Sequence, residues 1–504
     1  MPQPPAHTFR TLARRTAAAL TVIIAAACAP ATGAGVADVP AGPPGAEILW
    51  DRYGVPHIFA SDDVSLFRAF GWAQARAHAD LLLRLYGQAR GRAAEYWGEG
   101  ELQADRWTRT MRVEEWAGEM YARQTPEMRG LLDAFAEGIT AYARAHPDAV
   151  SDSVEAVLPV QGIDVAASWV MTALLFSNAQ TAAQRFAGAR GSNAWAVAPS
   201  RSASGNALLL ANPHLPWSGG FTFFEAQMTA PGVNAYGATL VGVPVLAIAF
   251  NDHLGWTHTV NTQDIEDLYQ LALADGGYRW DGGVRPFRTD TQRIRVRLAG
   301  GGFRDEVLVR RQSVHGPVIA TRGDSALALR MVARGMPDPL RQWWEMMRAR
   351  DLAEFERAVA RHQVAGFNVV YADRAGNVLY SYGAATPRRP RGDFAFWSGV
   401  VRGDTSALLW EEVHPYAEMP RVLNPPAGWV QNANDPPWLS TFPAALSPDS
   451  FPAAFAPRGL PFRPQQSIQL LRQAPPLSLD EMIRLKHSTE MELAVRIVPE
   501  LVEA

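Results

Sequence analysis

The feature that most constrains this chain is a change of period near Gly191. Before it, apolar residues recur at helical spacing; after it, short β-rich runs follow one another with Gly, Pro and Asn turns between them. A parallel doubly wound sheet needs a long crossover, usually a helix, between successive strands. That architecture is therefore excluded. Helices, then many strands, then helices define an α+β fold with large antiparallel sheets in layers.

The individual elements follow from the same patterns. Glu47–Ala60 reads as two extended pieces around a Tyr53-Gly54 turn. Ser65–Gly87 carries the helical stripe Leu66, Phe70, Ala73, Ala77, Leu81. Thr125-Pro126, a cap followed by proline at the first helical position, opens a second helix that ends at His146-Pro147. A third runs from about Val165 to Ser177. Strands follow from Ala194–Val197 to a hairpin whose arms are Asn368–Ala372 and Val378–Tyr382, with one interrupting helix at about Leu352–His362. Residues 383–465 are Pro-rich and read as long ordered loops, and a last helix begins at Leu479.

Composition narrows the function. With 48% hydrophobic and 19% charged residues among 504, a large core is available. A net charge of −3 speaks against nucleic acid as a partner. A single cysteine excludes a disulfide framework and a thiolate metal cluster. Arg10, Arg14 and Arg15, the apolar run Ala17–Ala27 and small residues after it describe a secretory signal peptide, so residues 1–33 are read as leader and the protein as periplasmic or secreted. The run is too short to span a bilayer, and no other long apolar segment predicts a transmembrane helix. Cys28, at its end, is a candidate lipoprotein anchor.

The chain lacks a Gly-x-Ser-x-Gly elbow, a Walker A loop and His-Glu-x-x-His. The elbow's absence speaks against a generic Ser-His-Asp hydrolase. His253 and His258 are five apart in a strand-rich region, on opposite faces, and make poor joint metal ligands. What stands out is Gly191-Ser192-Asn193-Ala194-Trp195, at the switch from helix to sheet. It is followed by Asn212-Pro213-His214-Leu215-Pro216-Trp217, Trp256–Thr262 and Gln431-Asn432-Ala433-Asn434-Asp435.

With these segments the chain resembles the penicillin acylase family of N-terminal nucleophile hydrolases, in particular its acyl-homoserine lactone and aculeacin-type acylases. The resemblance runs from about Ile48 to the C-terminus. It includes Asp51–Ile58, Gly71–Ala75, Gly91–Glu95, Gly242-Val243-Pro244, Phe367–Asp373 and Leu470-Leu471 in one order.

The resemblance implies an αββα sandwich and a precursor that cuts itself between Gly191 and Ser192. Residues 34–191 then form a mainly helical α chain, with a short spacer or none before Ser192, and residues 192–504 a β chain; the two stay associated. Family β chains run on beyond the helical pattern at Val498–Ala504, so the resemblance implies a C-terminally truncated β-chain region. It also implies Ser192 as nucleophile, the Val260 N–H and Asn434 side chain as oxyanion donors, His214 as the group orienting the serine, and Arg463 as support. Asn432 is the neighbouring candidate for Asn434's role. Phe176, Leu215, Trp217 and Ile248 are the positions for an apolar acyl pocket. No cofactor is required. Some family members hold a structural calcium, and Asp264 and Asp267 match two of its ligands. The acid that would complete that site is not evident near Gln180 and Ala182, and the pair reads as exposed acids after a strand.

The expected activity is hydrolysis of the amide bond of N-acylated small molecules, acyl-homoserine lactones first. A β-lactam (penicillin or cephalosporin) or lipopeptide acylase is the alternative within the class. A non-catalytic exported binding protein of the same fold is the alternative outside it.

Overall fold

The computed structural model describes residues 42–177, 191–383 and 385–503. The leader, Cys28, Gln180, Ala182 and any spacer before Gly191 lie outside these residues. Among the described residues no helix is long and apolar enough to cross a membrane.

The helical third forms around three long helices. α1 (Asp63–Ala89) is capped by the Asp62 carboxylate, which accepts from Ser65 N–H, and α2 (Pro126–Ala145) by the Thr125 hydroxyl, which accepts from Met128 N–H. α3 (Gly162–Leu175) opens on a reciprocal Gln161–Asp164 capping box. α1 and α2 meet through two glycines. A Cβ on Gly71 would lie 2.1 Å from Phe135 O, and one on Gly138 would lie 1.9 Å from Arg68 O, so neither position accepts a side chain.

Two sheets face each other behind these helices. The larger has the order β1 (Ala46–Trp50), β2 (Pro56–Ala60), β5 (Phe223–Ala230), β6 (Val233–Leu240), β7 (Ile248–Asn251), β8 (Leu254–Val260), β9 (Phe367–Asp373), β10 (Val378–Ser381), β11 (Arg421–Leu423). Only β2–β5 pair in parallel. The smaller places β3 (Gly191–Val197) between β12 (Trp429–Asn432) and β4 (Leu208–His214). Period-two alternation sets the layers. On β5, Phe224, Ala226 and Met228 join the core built by α1, α2 and α3. On β3, Ala194 and Ala196 pack on Val370, Ala372 and Tyr380 of the large sheet. Trp195 and Val197 point the other way, onto Ile468 and Leu471 of α6 (Phe462–Gln473) and Met482 of α7 (Leu479–Lys486). Helices, large sheet, small sheet and helices give the order αββα.

The described residues also hold a six-stranded sheet centred on Glu266–Ala274 and a hairpin of Arg288–Arg297 with Phe303–Gln312. The hairpin buries Ile294 and Val296 against Ala94 and Leu102.

Three sequence expectations need correction. Two helices interrupt the strands, α4 (Pro339–Arg348) before α5 (Leu352–Val359). Residues 383–465 are not loops alone: they hold β11, β12 and Val400–Arg402. β12 is buried on both faces, so it shows no alternation to read. α6 starts inside that tract because Pro461 and Pro464 sit at its cap and first turn, where proline is tolerated.

Candidate active site

Ser192 lies one residue inside the start of β3, on the central strand of the small sheet. Register pairs Gly191 with His214 and Ser192 with Pro213, and carries the segment after β12 alongside, since Asn432 pairs with Ala194. Ser192 is 4% exposed, and its Oγ donates to Gly191 O at 2.7 Å. Its backbone N–H donates to Asn434 Oδ1. Arg463, in the first turn of α6, reaches across with Nη1 to Ser192 O and Asn193 Oδ1, both at 2.7 Å, and with Nη2 to Asn434 Oδ1 at 2.7 Å. Trp195 Nε1 donates to Ser467 Oγ at 2.8 Å, tying β3 to α6.

These contacts orient the Asn434 amide. A guanidinium only donates, so the end facing Arg463 is the oxygen and the other end is the NH2. That NH2 donates to Val260 O at 2.7 Å. The last ladder bond beyond the Val260–Phe367 pair runs from Asn261 N to Gly366 O. Val260 and Phe367 are therefore a non-hydrogen-bonded pair, and the Val260 N–H and C=O both point away from β9. On that side β7 pairs with β8 only at Gly255 and Trp256. The Val260 N–H is thus directed to the same side as its carbonyl, which meets Asn434.

Gly191 is where the polar groups converge. A Cβ there would sit 3.1 Å from Arg463 Nη2, 3.2 Å from His214 Nδ1 and 3.3 Å from Asn434 Oδ1. Burial first, then the charges of Arg463 and Lys486, hold the His214 imidazole below its usual pKa, so it is neutral at neutral pH. Burial likewise pulls Arg463 down, against the opposing pull of Asp435. None of the three oxygens that Arg463 contacts belongs to a carboxylate. Gly191→Val should crowd this cluster. Overpacking of about 1–3 kcal/mol should lower the melting temperature of the chain by a few degrees, read by thermal unfolding.

A buried network under Asn434 holds it in a left-handed conformation, φ 60°. Asn432 Oδ1 accepts from Asn434 N at 2.9 Å, Thr259 Oγ1 at 2.6 Å and Asn368 Nδ2 at 3.1 Å. Tyr380 OH donates to Asn368 Oδ1 at 2.9 Å. Asp435 accepts from Ala433 N at 2.7 Å, and burial pushes its carboxyl up to about 6. Asn432 therefore supports Asn434 from behind. Thr259, Asn368 and Tyr380 were missed by sequence reasoning; their only signal is polarity at strand positions that alternate into the inter-sheet core.

The pocket candidates separate. Phe176 packs 5.0 Å from Phe367, the register partner of Val260. Leu215, next to His214, is half-buried. Trp217 is 99% exposed, so the expectation that it lines an enclosed pocket is corrected: it follows the end of β4 in an outward turn. Ile248 lines a different cleft of about 810 Å³ with Leu209 and Ala211, which includes neither Ser192 nor His214. A cavity of about 520 Å³ beside Asn193 and Arg463 is walled by Trp195, Phe462, Leu470 and Lys486. The sequence reading did not include it, because its walls come from β3, α6 and the segment after α7. Asp264 and Asp267, expected to be exposed acids after a strand, are instead buried against Arg389. Of the two histidines, His258 is buried, its Nδ1–H donating to Asn368 O and its Nε2 accepting from Trp343 Nε1, and His253 is exposed.

Comparison with known proteins agrees with this architecture. Residues 45–504 match the penicillin amidase family. The acyl-homoserine lactone acylase PvdQ of Pseudomonas putida is 29% identical over 529 residues, covering 91% of this chain and 68% of that one. The penicillin acylase 2 proenzyme of Pseudomonas sp. strain SE83 is 26% identical, covering 87% of this chain and 64% of that one. The thermostable penicillin G acylase of Alcaligenes faecalis superposes with a TM-score of 0.51 at 23% identity, over 58% of this chain and 51% of that one. The chain thus spans about two thirds of the first relative and half of the solved structure, whose fold it shares. The class so defined is that of hydrolases acting on amide bonds. Within it, the chain belongs to the penicillin amidase family.

Proposed function

We propose that this protein is an exported acylase that cuts itself between Gly191 and Ser192 and then hydrolyses N-acylated small molecules from the new N-terminus. The observation that carries the reading is Ser192 Oγ at 2.7 Å from Gly191 O, with Asn434 on the N–H of that peptide and Arg463 on the carbonyl of the next. In the self-cut, Oγ adds to the Gly191 carbonyl carbon, the C–N bond breaks, and the serine proton passes to nitrogen. Water then hydrolyses the resulting ester, leaving a Gly191 carboxylate and a free Ser192 amine and hydroxyl.

A hydroxyl is a weak nucleophile without an adjacent base. The released α-amine, with an ordinary pKa of about 7.7–8.0, is a usable base near neutral pH. It takes the Oγ proton as Oγ attacks the substrate amide carbon. Val260 N–H and Asn434 Nδ2 donate to the developing oxyanion. The amine passes the proton to the leaving nitrogen, and a water repeats the sequence on the acyl-enzyme. His214 packs beside Gly191 as a neutral imidazole that positions the serine, and Arg463 positions Asn434.

The α-chain region, residues 34–191, stays with the β-chain region, residues 192–504, after the cut. β1 and β2 are strands of the large sheet, and α1, α2 and α3 share its core. Export rests on the leader, residues 1–33, with Cys28 as a candidate anchor.

Acyl-homoserine lactones are the substrate class. His214 with its Pro213–Trp217 context, the leader, and the relative named for that activity support the choice. The processed protein, incubated separately with a long-chain acyl-homoserine lactone and with penicillin G, should release free homoserine lactone. Phenylacetic acid alone would move the substrate class to β-lactams.

A further inference from the structure

Asp264 is four residues beyond Val260, and Asp267 opens the central strand of the six-stranded sheet, Glu266–Ala274. Both carboxylates are buried, with side chains 9% and 0% exposed. Two buried anions so close need a cation, because an unpaired charge away from water is strongly disfavoured. A divalent calcium would take six to eight oxygen ligands at about 2.3–2.6 Å. The space between these two acids does not fit that demand, because it is filled by a guanidinium. Arg389, whose side chain is 1% exposed, places Nη2 3.0 Å from Asp264 Oδ2, 3.1 Å from Asp267 Oδ1 and 2.9 Å from the Asp264 carbonyl. Its Nε lies 3.4 Å from Asp267 Oδ2, and its face lies over Trp397. Trp410 Nε1 donates to Asp267 Oδ2. Among the described residues no three acid, histidine or cysteine side chains gather to hold a metal.

We propose that the Arg389 guanidinium is a built-in replacement for a structural divalent cation, clamping Asp264 and Asp267 so that this protein needs no calcium. The clamp joins the segment that follows β8 to the 385–390 loop. A fixed fork suits the role, since a guanidinium matches carboxylates two oxygens at a time.

The test is thermal unfolding of the full chain with excess EGTA and with millimolar calcium chloride. Wild type should unfold at the same temperature in both. A calcium-dependent rise, or a fall in EGTA, would overturn the proposal. Arg389→Ala should lower Tm by about 5 °C or more, as loss of one partner of a buried pair does, and calcium should restore part of the loss. An Arg389→Ala chain as stable as wild type in EGTA would also overturn it. Should that variant not fold, combining Asp264→Asn and Asp267→Asn with Arg389→Gln removes all three charges of the clamp. It should fold with no calcium response, and a calcium response there would again contradict the proposal.

Discussion

Replacing Ser192 by alanine should leave the precursor as one polypeptide and remove acyl release. Ser192→Ala keeps the Cβ, the β3–β4 register and the Arg463 contact to the residue 192 carbonyl, so the fold persists. It deletes Oγ, the one atom placed 2.7 Å from the Gly191 carbonyl oxygen. In the proposed mechanism the same atom serves the self-cut and the later reaction, so both should fail together. Loss of a nucleophile that acts as a unit with its base costs roughly 10⁶ in kcat, and here the base is never liberated. Ser192→Cys supplies a thiol in the same place and should restore the break. The measurements are a denaturing gel for the break and release of free amine from an acyl-homoserine lactone for turnover. A Ser192→Ala chain that is cut and active like wild type would remove Ser192 from the mechanism.

Substitution of Asn434 should give the second-largest effect. The side chain does two things at once: Oδ1 receives Ser192 N–H and Arg463, while Nδ2 faces the Val260 edge. Loss of one oxyanion donor costs roughly 10²–10³ in kcat, so Asn434→Ala should fall by at least that, with KM less affected. Alanine at φ 60° adds backbone strain of roughly 1–2 kcal/mol. Asn434→Asp separates the two jobs. It retains an acceptor toward Arg463 and loses the donor, so it should still be cut before residue 192 and still lose kcat. Unchanged kcat in Asn434→Asp would take Asn434 out of the oxyanion role.

Much of this arrangement is legible in the sequence, for identifiable reasons. α1 and α2 declare themselves by apolar period, α2 also by its Thr125-Pro126 cap, and α3, buried nearly all round, by its apolar run. β3 and β4 are read from apolar runs, one starting just after Gly191-Ser192 and one ending at Asn212-Pro213-His214. What escapes is structure whose residues are buried on every side or whose local text contradicts its setting. β12 has four buried residues and no alternation. β6 carries Gly237, required because a Cβ there would lie 2.1 Å from Ile248 O on the neighbouring strand, and that glycine obscures the strand. At the site, Ser192, His214, Asn434 and Arg463 come together although spread over 271 residues. No local pattern marks Arg463; the resemblance alone suggested it. The Arg389 clamp escaped for the same reason. Its partners lie 122 and 125 positions away, and two acids near a strand end look solvent-facing until the 385–390 loop is placed.

Intact-mass measurement of the wild-type chain, purified from an exporting host and denatured, tests the central claim most directly. A fragment whose first residue is Ser192, with a free α-amine and a separate partner ending at or before Gly191, is the expected result. A wild-type chain that hydrolyses acyl-homoserine lactone while still covalently continuous across Gly191–Ser192 would contradict it.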